Sequence, residues 1–125
     1  VSKAVMLAVH DAQIAEHGGG SGLRDEGLLE AALDRPRNLF HYGRPDMADL
    51  AAAYAYGIAK NHPFVDGNKR TSLVACELFL ALNSLEMTMA DTEAVTTWLA
   101  LASGELSEED LAERIRRAMR PAGED

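Results

Sequence analysis

The stretch His62-Pro63-Phe64-Val65-Asp66-Gly67-Asn68-Lys69-Arg70 decides the reading of this chain. Pro63 excludes an ordinary helix interior at that point, and Gly67-Asn68 is a turn signal, so His62 to Gly67 is expected to form a short irregular loop. From Asn68 to Leu82 the residues favour helix and are apolar on nearly every face, interrupted only by Glu77. That pattern predicts a central buried helix directly after the loop.

A helix start leaves backbone N–H groups unpaired at the positive end of the macrodipole, which suits a phosphate. Gly67 lets a ligand approach the backbone, Asn68 offers an amide, and Lys69 and Arg70 add two cations within one turn. Asp66 is placed to hold Mg²⁺ against phosphate oxygens, because Mg²⁺ sites commonly use one or two carboxylates plus substrate phosphates. His62 is then the candidate base, since an imidazole titrating near neutral pH can take a proton from an attacking hydroxyl.

Each residue also has a purely structural reading. His62 can hydrogen-bond within a loop, Asp66 can serve as a turn residue or N-cap, and Phe64 reads as a core anchor. Lys69 and Arg70 can be a solvated first turn, yet cations there oppose the macrodipole and call for a compensating anion. As a set, the nine residues favour phosphate chemistry.

The stretch resembles the motif of the Fic/Doc family, His-x-Phe-x-Asp/Glu-Gly-Asn-Gly-Arg-x-x-Arg, through Asn68. Lys69 replaces the second glycine and Leu73 stands at the second arginine, which is similar to the Doc (death-on-curing) branch ending in Asn-Lys-Arg. Gly67 departs from that branch, which has alanine there. The resemblance implies an all-α Fic-fold helical bundle, with the motif loop before the central helix and a short β flap. It implies Mg²⁺ as cofactor and ATP as substrate, with His62 activating a target hydroxyl and Asp66 as metal ligand. Gly67, Asn68, Lys69 and Arg70 would form the phosphate cradle. Fic enzymes transfer AMP, whereas in Doc the lysine turns the nucleotide so that the γ-phosphoryl group goes to a threonine of elongation factor Tu. Lys69 therefore tips the expectation to a protein Ser/Thr kinase acting on the translation machinery. AMP transfer, to which Gly67 gives weight, and a catalytically silent binding module stay open.

Family members often carry an inhibitory Ser/Thr-x-x-x-Glu-Gly/Asn helix. None is found here; Ser21, four residues before Asp25, comes nearest and fits an ordinary helix start better. On the family's logic, inhibition then comes in trans from a cognate antitoxin, and the chain is a toxin.

Outward from the motif, Lys3 to Glu16 reads as an amphipathic helix stopped by Gly18-Gly19-Gly20. His10 and His17 are spaced like a metal pair but have no third ligand near in sequence, so ordinary helix and cap roles are expected. Asp25 to Leu33 reads as a short capped helix ending before Pro36. Asn38 to Pro45 follows as turn-rich chain unable to form a long helix, and the family's flap lies hereabouts. Phe40, His41 and Tyr42 are accordingly assigned to target docking, against a structural reading in which Phe40 and Tyr42 pin a loop. Asp46 to Asn61, with Ala51, Ala52, Ala53 and Gly57, predicts a closely packed scaffold helix delivering the chain to His62. Leu85 to Met89 reads as a short extended link, and Asp91 to Ala102 and Ser107 to Arg120 as two more helices. Arg114, Arg116, Arg117 and Arg120 suit the C-terminal end of the last one.

The chain of 125 residues is read as one domain over 1–120 and a disordered tail over 121–125. The formal net charge is −8, shared unevenly: residues 1–70 hold 8 Lys/Arg against 9 Asp/Glu, and residues 71–125 hold 4 against 11. An acidic second half disfavours nucleic acid as a partner and suits a basic protein surface. No run is apolar enough to span a membrane, and Val1 to His10 lacks a signal-peptide pattern, so a cytoplasmic protein is expected. Cys76, the single cysteine, excludes an internal disulfide and reads as a small core residue.

Overall fold

Residues 1–123 are described by the computed structural model. They fold into helices α1 (Lys3–His17), α2 (Glu26–Tyr42), α3 (Met47–Asn61), α4 (Asn68–Leu82), α5 (Asp91–Ser103) and α6 (Glu108–Arg117). Strands β1 (Leu85–Met87) and β2 (Met119–Pro121) form one antiparallel pair, with Leu85 opposite Pro121 and Met87 opposite Met119. The mainly helical expectation holds, and α4 starts at Asn68 as the sequence predicts.

The most enclosed element is α3. Ten of its residues are buried, from Ala48 to Ala59, and six of those are alanine. Small side chains let neighbours approach from several sides, so α3 packs against α2, α4, α5 and α6. Helix α4 lies against α3 and buries Asn68, Thr71, Ser72, Ala75, Cys76 and Leu80. Its remaining faces are only partly covered, leaving a wall open beside α5.

Two apolar clusters flank this α3–α4 pair. One joins Leu80 and Trp98 to Leu111 and Ile115, and the other joins Met6, Leu29, Leu33 and Ile58 to Phe64. Phe64 is fully buried, so the motif loop is anchored in the second cluster. A Phe burial of this size stabilises by about 1.5–3 kcal/mol.

The helix starts follow capping chemistry. Ser2, Asp25, Asp46 and Ser107 accept from backbone N–H groups of the first turns of α1, α2, α3 and α6. Asp46 and Asp49 form a reciprocal capping box, and Arg116 on α6 grips both carboxylates at 2.7 Å and 3.0 Å. The start of α3 is thereby tied to the end of α6.

Helix α2 departs from the sequence reading. It continues through Pro36 to Tyr42, so Phe40, His41 and Tyr42 form its last turn and no flap occurs at Asn38 to Pro45. Proline removes one N–H and leaves the carbonyl four residues back without its helical donor. That carbonyl belongs to Ala32, and it faces Gly57 of α3: a Cβ at Gly57 would stand 3.1 Å from the Ala32 oxygen. Burial of Leu29, Ala32, Leu33 and Pro36 against α3 outweighs the missing bond.

The C-terminal end differs too. Helix α6 ends at Arg117, and Met119 to Pro121 turns extended to pair with β1, where a helix to Arg120 was expected. Pro121 pairs with Leu85 and Ala122 donates to Ser84 O at 2.9 Å, within the span 121–125 that was read as a disordered tail. Residues 124 and 125 lie outside the described residues. Among the described residues no helix is long and apolar enough to cross a membrane.

Candidate active site

The motif loop joins the C-terminal end of α3 to the N-terminal end of α4. His62 terminates α3 in the left-handed region, φ 54° and ψ 53°, and its N–H closes the helix on Ile58 O. A non-glycine residue there is strained by roughly 1–2 kcal/mol, so the surroundings must hold it. Arg24 does this, donating from Nε to His62 O at 2.8 Å and from Nη2 to Asn61 O at 3.0 Å. The ring of His62 is left facing solvent at the loop's edge.

Asn68 is the internal brace. It is buried, accepts from Phe64 N–H at 3.0 Å and donates Nδ2 to Phe64 O at 3.0 Å. These two bonds fix which end of the amide is nitrogen, and Nδ2 also lies 3.1 Å from Nδ1 of His62. The residue expected to bind phosphate with its side chain thus spends that side chain on the loop.

Asp66 is exposed and ionised. N–H groups of Gly67 at 2.8 Å and Gly20 at 3.4 Å donate to its carboxylate and, with Arg70 nearby, hold it below the usual carboxylate range. The carboxylate keeps lone pairs free for a cation. Among the described residues no group of three or more His, Cys, Asp or Glu side chains is arranged for a metal. That donor set fits a Mg²⁺ bound by one carboxylate and completed by phosphates and water.

The first turn of α4 lacks a side-chain cap, and Gly67 precedes it at φ 76°. Lys69 and Arg70 are exposed on that same turn. An uncapped helix start with two adjacent cations has the charge and the free N–H groups that suit an anion.

These residues share one cleft of about 460 Å³. It is lined by His62, Asp66, Gly67, Asn68, Lys69 and Arg70 at its polar end, and by Leu73, Val95, Trp98 and Leu99 at its apolar end. Val95 and Leu99 are more than half exposed, an apolar surface next to the start of α4. Trp98 is fixed as the cleft wall because Nε1 donates to Ser72 Oγ at 3.0 Å and Ser72 donates in turn to Ala55 O at 2.6 Å.

Every motif residue assigned from sequence is therefore brought together. Phe40, His41 and Tyr42 are not: they lie at the end of α2 and line no part of this cleft. The segment beside the motif is instead 18–25. Leu23 bridges Phe64, Val65 N donates to Gly22 O, and Arg24 N and Asp25 N donate to Pro63 O. A Cβ at Gly19 would stand 2.7 Å from Asp66 Oδ2, so a side chain there would collide with the carboxylate. The triple glycine read as a helix stop is thus also a clearance for Asp66. The α5 wall was likewise missed, because apolar residues at helical spacing on a surface helix carry no mark of a ligand. Of the two histidines of α1, His17 is exposed at the helix end while His10 is buried under the motif loop.

Comparison with known proteins places this geometry in context. The chain is 33% identical over 118 residues to "Protein kinase doc" of Escherichia phage P1, covering 94% of this chain and 93% of that protein. It is 44% identical over 73 residues to "Toxin Doc" of Mycolicibacterium smegmatis, covering 56% of this chain and 55% of that protein. Residues 1–80, which include the whole motif and the first turns of α4, match the sequence model of the Fic/DOC family, and the chain belongs to that family.

Proposed function

We propose that the protein is a Doc-type toxin that transfers the γ-phosphoryl group of Mg·ATP to a Ser or Thr hydroxyl of a translation factor resembling elongation factor Tu. The observation that carries this reading is the position of Lys69. It stands on the uncapped first turn of α4, in one cleft with His62 and Asp66.

The backbone N–H groups of Asn68, Lys69 and Arg70 cradle the phosphates, and the two side chains neutralise the charge that develops on them. Asp66 would hold Mg²⁺, which would supply neutralisation of the phosphate charge. The adenine ring of the nucleotide would lie against the apolar wall of Leu73, Val95 and Leu99. The acceptor oxygen forms its bond to the γ-phosphorus as the bond to the bridging oxygen breaks. ADP is the leaving group, and the hydroxyl proton passes to the ring of His62. Segment 18–24 lies hydrogen-bonded beside the motif, with Arg24 donating to His62 O, and would meet the acceptor chain there.

The likeness to a protein named a kinase over 94% of this chain supports phosphoryl transfer. A cognate antitoxin acting in trans and a cytoplasmic setting belong to the same reading. Incubation with candidate targets and ATP labelled at either the α or the γ position tests it: label retained from γ is expected. Label retained only from α establishes AMP transfer, the reading that Gly67 favours. Neither label transferred, with His62→Ala leaving toxicity unchanged, establishes a binding module.

A further inference from the structure

His10 of α1 is fully buried directly beneath the motif loop and grips it at two points. Its ring stacks on that of Phe64 with centroids 3.8 Å apart and planes 4° from parallel. Its Nε2 lies 2.7 Å from the backbone oxygen of Asp66. A carbonyl only accepts, so Nε2 carries the hydrogen and donates it. The other ring nitrogen is 4.0 Å from the exposed Asp11 carboxylate, beyond hydrogen-bond reach, and fixes nothing.

Both points bear on groups of the cleft. Phe64 is the residue whose backbone Asn68 clasps, and Asn68 touches His62. The Asp66 carbonyl belongs to the peptide joining Asp66 to Gly67, whose N–H donates to the Asp66 carboxylate. Turning that peptide would move the carboxylate and the start of α4 together.

We propose that His10 is a positioning residue for the phosphate and metal end of the cleft, acting through the Asp66–Gly67 peptide. It touches neither substrate nor metal. A buried histidine satisfied by a carbonyl is ordinarily a packing element; here the carbonyl is the one on which the alignment of Asp66 and Gly67 depends. The inference rests on the reading of the cleft as a Mg·ATP site for its consequence, and on the loop geometry alone for its cause.

Two variants separate the hydrogen bond from the packing. His10→Phe keeps a stacked ring and removes the donor, while His10→Gln loses the ring and keeps an N–H near the position of Nε2. Hydrogen exchange at the Gly67 and Asn68 amides is expected to quicken ~10-fold in His10→Phe, the equivalent of one hydrogen bond, and to stay closer to the parent in His10→Gln. Mg·ATP affinity measured by calorimetry is expected to follow the same order. Unchanged exchange in a folded His10→Phe protein overturns the proposal, as does equal impairment of both variants, which would report packing only. If His10→Phe does not fold, the unmodified protein still decides: a slowly exchanging Nε2–H on His10 is expected in its NMR spectrum, and a proton on Nδ1 instead overturns the proposal. Failure of the unmodified protein to bind Mg·ATP would sink the kinase reading while the exchange measurement still judges His10.

Discussion

Asn68 holds His62 through a contact of 3.1 Å from Nδ2 to Nδ1, while the rest of its amide is committed to Phe64. Nδ1 therefore turns its lone pair to Asn68, and the neutral ring carries its hydrogen on Nε2. For Nε2 to take a proton, that hydrogen must move to Nδ1, which requires Asn68 to give up the contact. The resting site thus holds His62 as the Nε2–H tautomer, so the proposed proton transfer to its ring follows a tautomer exchange. Nitrogen NMR of the unliganded protein should show the hydrogen on Nε2 of His62; the reverse assignment would remove this gate from the mechanism.

Replacing the two partners should separate chemistry from stability. His62 is exposed, so His62→Ala is expected to change stability by no more than ~0.5 kcal/mol while losing ~10²–10⁴-fold in transfer rate. Asn68→Ala instead orphans the N–H and carbonyl of a buried residue, at about 1–3 kcal/mol for each group left unpaired. Urea unfolding should therefore show a lower midpoint for Asn68→Ala and nearly none of that change for His62→Ala. Equal midpoints would mean that the loop does not depend on this brace.

Lys69→Gly tests the residue on which the transfer chemistry turns. The substitution costs about 1 kcal/mol of helix propensity and removes a cation that opposes the dipole of α4, so the fold should survive. Retention of γ-label is expected to fall at least ~10-fold, about the value of one charge-assisted bond to phosphate. Appearance of α-label would show that the lysine selects the nucleotide's pose. Unchanged γ-transfer would show that it does not.

The motif was legible because its residues sit close in sequence and each carries its own chemistry. Asn68 marked the start of α4, and α3 was legible through its alanines. What escaped depended on contacts between distant residues. Pro36 reads as a helix end unless the packing of Ala32 against Gly57 is known, and hence Phe40, His41 and Tyr42 were placed in a loop. Met119 to Pro121 has no strand signature of its own and becomes extended because β1 offers a partner. His10 looks like any helix histidine until α1 is laid under Phe64. Gly18 to Arg24 reads as punctuation until its hydrogen bonds to Pro63 and Val65 are seen.

Gly57→Ala measures the closeness of α2 and α3. The added methyl would stand 3.1 Å from both the Cα and the oxygen of Ala32, and backbone cannot swing aside as a long side chain can. Alanine normally stabilises a helix interior by roughly 0.5–1 kcal/mol over glycine. Overpacking here should reverse that sign and destabilise by about 1–3 kcal/mol in denaturant unfolding. A stability gain would show that α2 moves freely over α3, and that Pro36 does not fix the approach.

The tie between α3 and α6 should appear in acid. Arg116 beside Asp46 holds that carboxyl down at about 2, below its ordinary 3.8, with the Asp49 N–H assisting. A depressed folded value means that the contribution is complete above the unfolded value and is lost as pH falls from about 4 to about 2. Both side chains are more than a third exposed, so screening limits the pair to about 1 kcal/mol or less. Asp46→Asn retains a competent N-cap and removes the charge. Its unfolding free energy should lie below the parent's at pH 6 in low salt, converge with it near pH 2, and approach it in high salt. A difference that persists undiminished at pH 2 would assign the effect to capping and leave the Arg116 pair without a role in stability.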